Sequence, residues 1–539
     1  MRNSGLDAAK KLSDDSTWTP RNAAESGGRV HGDAPTIAVD NHDYRRRVLA
    51  CWLGKSVGGT LGQSFEGLEG PIEADYYIPV PDGMVPNDDL DVQVAYAGVI
   101  AAAEPPKVDR HIIASVWRDH LKFPWNEYAV GKRNLAEGIE PPYSGSFDNW
   151  FSCGEGAVIR TELWACLAPG DPARAGAYAF EDACFDHAGD GIWAAVFMAA
   201  LQSLAFVESD TGVLLDSASE LLPSSSRIRQ VVHDTRVWVK EGRPWRDVMS
   251  LIVDEYGTGD FTDTRMNTGF VVLGWLASEG DFERAILITN GCGGDTDSST
   301  ASLASLLAIL DPDCIPDRWL RPIGLDLVLN DEVVGINAPR TIHEFTDQVV
   351  ALRDRLEGSW PDAPMVEFDP DLYAIPVTVG WATPYGVPWG VRDATGLSPE
   401  WSAEPEMPSN AETCMLPGTW IRWAREDFED IILVIDYQLD LDHDVAGRLM
   451  FNCSEHFRVW LDGEYLFGGQ LGQLFPSQHR PPAGHGVDVK LGAGRHRLRV
   501  TVLRPSPTRT HAEWVVSLAE HPDLEWVPAA FRPRASESP

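Results

Sequence analysis

The chain has 539 residues, of which 44% are hydrophobic and 23% charged, with 20 Trp; this excludes both a single small domain and bulk disorder. Its 44 Lys and Arg face 81 Asp and Glu, a formal net charge of −37, so long-range repulsion excludes nucleic acid and anionic membrane surfaces as general partners. The eight cysteines are scattered with no C-x-x-C pair and read as reduced thiols rather than a disulfide framework.

Residues 1–40 are rich in Ser, Asp, Asn, Gly and Ala without periodicity, and read as a disordered leader. The first thirty contain no apolar run of the signal-peptide kind, so a cytoplasmic protein is expected. From 41 to 360, apolar residues recur at helical spacing, for example over 92–103, 112–121, 192–206, 269–276 and 299–310, and an all-helical domain is predicted. The most apolar of these blocks, 192–206, is shorter than the roughly 20 residues needed to cross a bilayer. Asp88, Asp171, Asp281 and Asp295 precede apolar runs and are the expected N-caps. From 361 to 539 the texture changes to short alternating runs bounded by Gly, Pro and Asp, at 431–437, 447–452, 456–461, 487–491, 496–503 and 514–518. An all-β sandwich follows, with an Asp-Gly hairpin turn at Asp462-Gly463 and a second turn across 491–495.

Two predicted helices open with surplus carboxylates: Pro86-Asn87-Asp88-Asp89-Leu90-Asp91 and Gly293-Gly294-Asp295-Thr296-Asp297-Ser298. A helix start uses one side-chain acceptor, so capping accounts for one acid at each place and leaves the others over. The two clusters together point to a cation site. Their oxygen ligands, without Cys or His at ligand spacing, select Mg²⁺, Mn²⁺ or Ca²⁺ over Zn²⁺. They suffice for two ions that share carboxylates and activate water, with Mg²⁺ as the first choice. Gly54, Gly58 and Gly62 recur every fourth residue and read as a close helix-packing face, after which Glu66 is placed to reach the metals or their water. The Gly54-Lys55-Ser56 triplet lacks the upstream glycine of a phosphate-binding loop. His233-Asp234 and His443-Asp444 have no partnered Ser or Cys, and the Trp-rich region (Trp381, Trp389, Trp401, Trp420, Trp423, Trp460, Trp514, Trp526) reads as core or interface, with sugar stacking as the other reading.

The glycine-rich first helix ending in Glu66, the Asn87-Asp88-Asp89 box and the Gly293-to-Ser298 box together resemble the ADP-ribosylglycohydrolase family, in order and spacing, along residues 44 to 310. Gly131-Lys132-Arg133-Asn134, Ala168-Pro169-Gly170-Asp171-Pro172, Asp186-His187-Ala188-Gly189-Asp190-Gly191 and Gly280-Asp281-Phe282 are similar to a bacterial branch of it. The resemblance implies an all-helical fold with a binuclear metal centre held by Asn87, Asp88, Asp89, Asp295, Asp297 and Ser298, with Asn87 standing where relatives have Thr or Ser. It further implies Glu66, Asp88 and Asp89 as catalytic carboxylates, and Arg133, Asn134, Glu155 and His187 as substrate-binding residues. Glu155 stands in a Gly154-Glu155-Gly156-Ala157 loop where relatives carry Asn. The implied activity is metal-dependent hydrolysis of an N- or O-glycosidic bond at a ribose-like sugar, in an ADP-ribosyl conjugate, nucleoside or related furanoside. A glycosidase acting on saccharides and a catalytically silent metal- or sugar-binding protein are the alternatives. Residues 365 to 530 are weakly similar to galactose-binding-like sandwiches of glycosidases.

Overall fold

A computed structural model describes residues 41–362, 366–382, 403–469, 474, 476–480, 485–527 and 529–532. The leader expected at 1–40, Trp389 and Trp401 lie outside the described residues. The first half contains helices α1 (Asn41–Gly62), α2 (Asp88–Ala102), α3 (Arg110–Asp119), α4 (Asn126–Ala136), α5 (Tyr143–Ser146), α6 (Thr161–Leu167), α7 (Pro172–Ala183) and α8 (Asp190–Leu204). It continues with α9 (Thr211–Glu220), α10 (Arg227–Lys240), α11 (Trp245–Tyr256), α12 (Thr264–Ala277), α13 (Phe282–Gly291), α14 (Thr296–Leu310), α15 (Asp317–Leu320) and α16 (Ile342–Arg355). No helix among the described residues is long and apolar enough to cross a membrane. All eight cysteines are free.

α1 and α14 are the central pair, and the glycine stripe of α1 is the reason they meet. A Cβ added to Gly54 or Gly58 would lie 2.5 Å from backbone atoms of Ala304 or Ala301, so only hydrogen fits between the two helix backbones. The seam continues beyond the helix ends: Thr296 Oγ1 donates to the Gly62 carbonyl at 2.7 Å, Gly67 N to Gly294 O at 2.9 Å, and Gly294 N to Leu68 O at 2.9 Å. The loop after α1 and the turn before α14 are therefore one stitched unit. Arg160, Tyr44, Trp52, Trp117 and Trp164 are fully buried in the helical core.

The second half is built from strands β1 (Ile375–Ala382), β2 (Glu412–Leu416), β3 (Trp420–Ala424), β4 (Ile432–Leu441), β5 (Val445–Cys453), β6 (Phe457–Leu461), β7 (Glu464–Gly469), β8 (Gly486–Leu491), β9 (Gly494–Leu503), β10 (His511–Glu520) and β11 (Glu525–Trp526). They form two antiparallel sheets, one in the order β2-β1-β4-β9-β6-β7 and one in the order β11-β10-β5-β8 with β3 also on β10. Val379, Ile435, Phe451, Val500 and Trp514 from both sheets share one core, the apolar faces of alternating strands turned inward. The Asp462-Gly463 turn joins β6 to β7 with both residues at positive φ, 50° and 91°, as a two-residue hairpin requires. The fold is thus an all-α domain followed by an all-β sandwich.

The halves meet along α4, α5 and the loop around Asp148. Asp148 accepts from Thr419 N at 2.8 Å, Thr419 Oγ1 at 2.7 Å and Trp420 N at 2.7 Å. Trp150 packs on Trp526 at 5.5 Å, and Arg532 pairs with Glu137. The other described sandwich tryptophans are spent within the sandwich: Trp381, Trp460 and Trp514 are buried, Trp423 stacks on Trp514, and Trp420 Nε1 donates to Glu513.

Candidate active site

Capping differs from the expectation, and the difference matters for the carboxylates. The cap of α2 is Asn87, not Asp88: its Oδ1 accepts from Asp89 N at 2.7 Å, which puts Asp88 inside the first turn. Asp295 stands at the cap position of α14, but its side chain makes no cap hydrogen bond; it accepts instead from Ser298 Oγ at 2.7 Å. Asp171 and Asp281 do cap their helices, accepting from Arg174 N and Arg284 N. Helix capping therefore consumes none of Asp88, Asp89, Asp295 and Asp297.

These four acids and Glu66 come from three separate stretches of chain and act on one another. Burial raises the Asp88 pKa well above the carboxylate range, and the charges of Asp89, Asp297, Asp91 and Glu66 raise it further. Asp295 is raised in the same way by burial and then by Asp297 and Glu66. Asp297 is pushed up to about 7, by burial first and then by Asp89 and Glu66. Its Oδ1 is buried without a hydrogen-bond partner. Like charges held together out of water raise one another's proton affinity, and a divalent cation would relieve that repulsion. The all-oxygen donor set fits such an ion. Among the described residues, however, no three His, Cys, Asp or Glu groups stand ready-gathered around one point. Two of the acids are drawn elsewhere, Asp89 toward Lys55 and Asp295 toward Ser298.

Lys55 and Glu162 are the members of this site that sequence reasoning did not single out as such. Lys55 Nζ lies 2.9 Å from Asp89 Oδ2 and 3.3 Å from Glu162 Oε1, all three side chains buried. Burial opposes the lysine charge, but Asp89 and Glu162 outweigh it and hold its pKa up. Glu162 is fixed in turn by Gln93 Nε2 at 3.0 Å and Ser305 Oγ at 2.9 Å. Glu162 is thus hydrogen-bonded on both oxygens, whereas Lys55 Nζ and Asp89 Oδ2 are held by the ion pair alone. Asp91, next along α2, is occupied by the backbone N–H and side chain of Asn330.

The expected substrate-binding residues divide into two groups. Glu155 is buried, its pKa raised well above the usual range by burial, with Asp263 and Asp89 adding to it and Thr264 offsetting it in part. It therefore belongs to the electrostatics of the carboxylate group. His187 lies in a buried chain of titratable side chains: Nδ1 is 2.6 Å from Asp186, Nε2 is 3.7 Å from Glu127, and Asp186 is held by Arg160. Glu127 accepts from Gly156 N at 3.0 Å, which links this chain to the loop that carries Glu155. Arg133 is committed to the domain junction, and Asn134 to the helical half beside it. Arg133 Nη1 donates to Thr419 Oγ1 at 3.0 Å and its guanidinium stacks on Trp526 at 5.0 Å. Asn134 Nδ2 donates to the carbonyls of Ser144 and Phe147, both at 2.7 Å.

No curated protein matches the chain. A solved structure described as an ADP-ribosylglycohydrolase-related protein complex is similar, with a TM-score of 0.42 and 19% identity over 58% of this chain and 99% of that one. The family model for ADP-ribosylglycohydrolase matches residues 40–357, more than half of the chain. The helical half that assembles Asp88, Asp89, Asp295 and Asp297 is the part so matched, and the protein belongs to the ADP-ribosylglycohydrolase family of hydrolases.

Proposed function

We propose that the chain is a metal-dependent glycohydrolase that cleaves an N- or O-glycosidic bond at a ribose-like sugar, in an ADP-ribosyl conjugate, a nucleoside or a related furanoside. The observation that supports this most is the mutual repulsion of Glu66, Asp88, Asp89, Asp295 and Asp297, none of the four aspartates being used as a cap. A pair of divalent cations, Mg²⁺ first and Mn²⁺ or Ca²⁺ otherwise, would be held by Asp88, Asp89, Asp295, Asp297, Ser298 and the Asn87 amide oxygen. Such ions supply positive charge for sugar hydroxyls and lower the pKa of bound water. The chain's own part is to orient and to exclude water. Glu66, partly exposed at the edge of the group, and Asp88 and Asp89 within it would accept a proton from an attacking water or stabilise oxocarbenium-like charge. Glu155 and His187 would shape the side of the pocket toward the leaving group or ribose. With Arg133 committed to the domain junction and Asn134 to the Ser144 and Phe147 carbonyls, they are not part of this proposal.

The test is hydrolysis of an ADP-ribosyl-arginine peptide, a nucleoside and an aryl ribofuranoside, each with Mg²⁺, with Mn²⁺ and with a chelator. Turnover of at least one, abolished by the chelator and lowered about 100-fold or more by Asp297→Asn, is expected. Cation binding by calorimetry without turnover of any probe would instead identify a silent protein that keeps the fold. Turnover unaffected by chelation would refute the role given to the cations.

A further inference from the structure

All the acids of the site belong to the helical half, yet among the described residues a side chain of the sandwich reaches one of them. Between β7 and β8, residues 477–480 lean out toward α4. Gln478 roots this segment in the sandwich: buried itself, it donates from Nε2 to Ser517 Oγ at 2.5 Å and accepts at its carbonyl from Arg448 Nη1 at 2.6 Å. His479, held by Ser477 Oγ at 2.7 Å, lies against Trp125 at the start of α4 with ring centroids 5.0 Å apart. One residue on, Arg480 Nη1 donates to Glu66 Oε1 at 2.9 Å. The Arg480 charge is favoured first by Glu66, with Asp297 and Asp295 contributing after it, so the guanidinium stands on the Glu66, Asp295 and Asp297 side of the acidic group.

The Arg480 side chain is 56% exposed and that of Glu66 27%, and ion pairs so open to water contribute little to stability. What such a contact can do is fix an orientation, because it arrives from a segment anchored on its own side by Gln478 and on the other by Trp125. We infer that Arg480 is a positioning residue through which the β-sandwich fixes the Glu66 carboxylate at the edge of the aspartate group and completes the hydrolytic site. This rests on the role proposed above for Glu66.

The experiment uses the full chain with Arg480→Ala and Arg480→Lys. It reads thermal unfolding, hydrogen exchange over residues 63–72, and kcat and KM on whichever of the three probes the unaltered protein hydrolyses fastest. Arg480→Ala should leave unfolding unchanged and speed exchange over 63–72 about 5-fold or more. It should lower kcat about 10-fold to 100-fold with KM within about 2-fold, and Arg480→Lys should restore kcat to within about 3-fold. Unchanged exchange, or unchanged kcat, overturns the inference. A rise in KM alone also overturns it, because Arg480 would then be touching substrate rather than holding Glu66. If no probe is hydrolysed by the unaltered protein, the hydrolase reading fails, and exchange by itself still decides whether Arg480 fixes the Glu66 loop.

Discussion

At the scale of single residues, the buried acids differ in whether they have a partner that wants their charge. Asp186 is paired with Arg160 and His187, and its pKa is lowered despite burial. Glu127, on the other side of the same histidine, is pushed up to about 7 by burial, with His187 offsetting only part of that. Unfolded, Glu127 would titrate near the ordinary glutamate value of 4.5, so between there and about 7 the folded chain binds a proton that the unfolded chain does not. Stability from this group is thus present at low pH and lost as pH rises through that window. Glu127→Gln keeps an acceptor for Gly156 N and cannot ionise. Chemical denaturation should show it close to the unaltered protein at pH 5, and more stable by about 1–3 kcal/mol at pH 8. An equal difference at both pH values would mean that Glu127 is not held protonated in the fold.

At the scale of elements, legibility followed the strength of the local pattern. The strand runs at 447–452 and 496–503 sit inside β5 and β9, and the Asp462-Gly463 turn formed where its residues demand positive φ. β1, β2 and β3 were not anticipated: Pro376 and Gly380 interrupt β1, and the short β2 and β3 mix polar and apolar residues without the alternation on which such a reading depends. Asp88 was misplaced by one residue as a cap because Asn and Asp compete for that position on nearly equal terms, and only the backbone decides. The two carboxylate boxes were visible as local surplus charge. Lys55 was not visible as their counter-ion, since a lysine on a helix reads as a solvated residue, and neither was Glu162, which stands in another helix. Arg480 lies 414 residues from Glu66, a separation no local pattern carries.

The glycine stripe of α1 allows a prediction that separates contact from propensity. A Cβ at Gly58 would lie 2.5 Å from the Ala301 Cα and the Thr300 carbonyl, backbone atoms that cannot swing aside. Gly58→Ala should therefore destabilise the chain by about 1–3 kcal/mol as α1 and α14 are forced apart. Gly98, in α2, would present its Cβ only to Gln348 Nε2 at 3.9 Å. Gly98→Ala gains helix propensity with nothing to collide with, and should be neutral or stabilising by up to about 1 kcal/mol. Denaturation of the two variants side by side checks the contrast. Equal effects would mean that the α1–α14 contact is looser than its glycines imply.

At the scale of the whole molecule, the two halves have separate cores, and what joins them is polar as well as aromatic. Asp148 is the hub of that junction: it takes three hydrogen bonds from Thr419 and Trp420, and its carboxylate is 3.2 Å from Arg133 Nη1. Asp148→Ala leaves the Thr419 and Trp420 N–H groups and the Arg133 guanidinium without that acceptor, at a cost of about 1–3 kcal/mol for each group that water cannot reach. The penalty falls on the contact between the halves and not on either core. In calorimetry of the full chain, Asp148→Ala should lower the unfolding temperature of the sandwich by roughly 5 °C relative to the helical half. It should also speed hydrogen exchange around Thr419 and Trp420. A uniform decrease of both halves would instead assign Asp148 to the helical core, and the sandwich could then not be regarded as a platform held in register with the Glu66 loop.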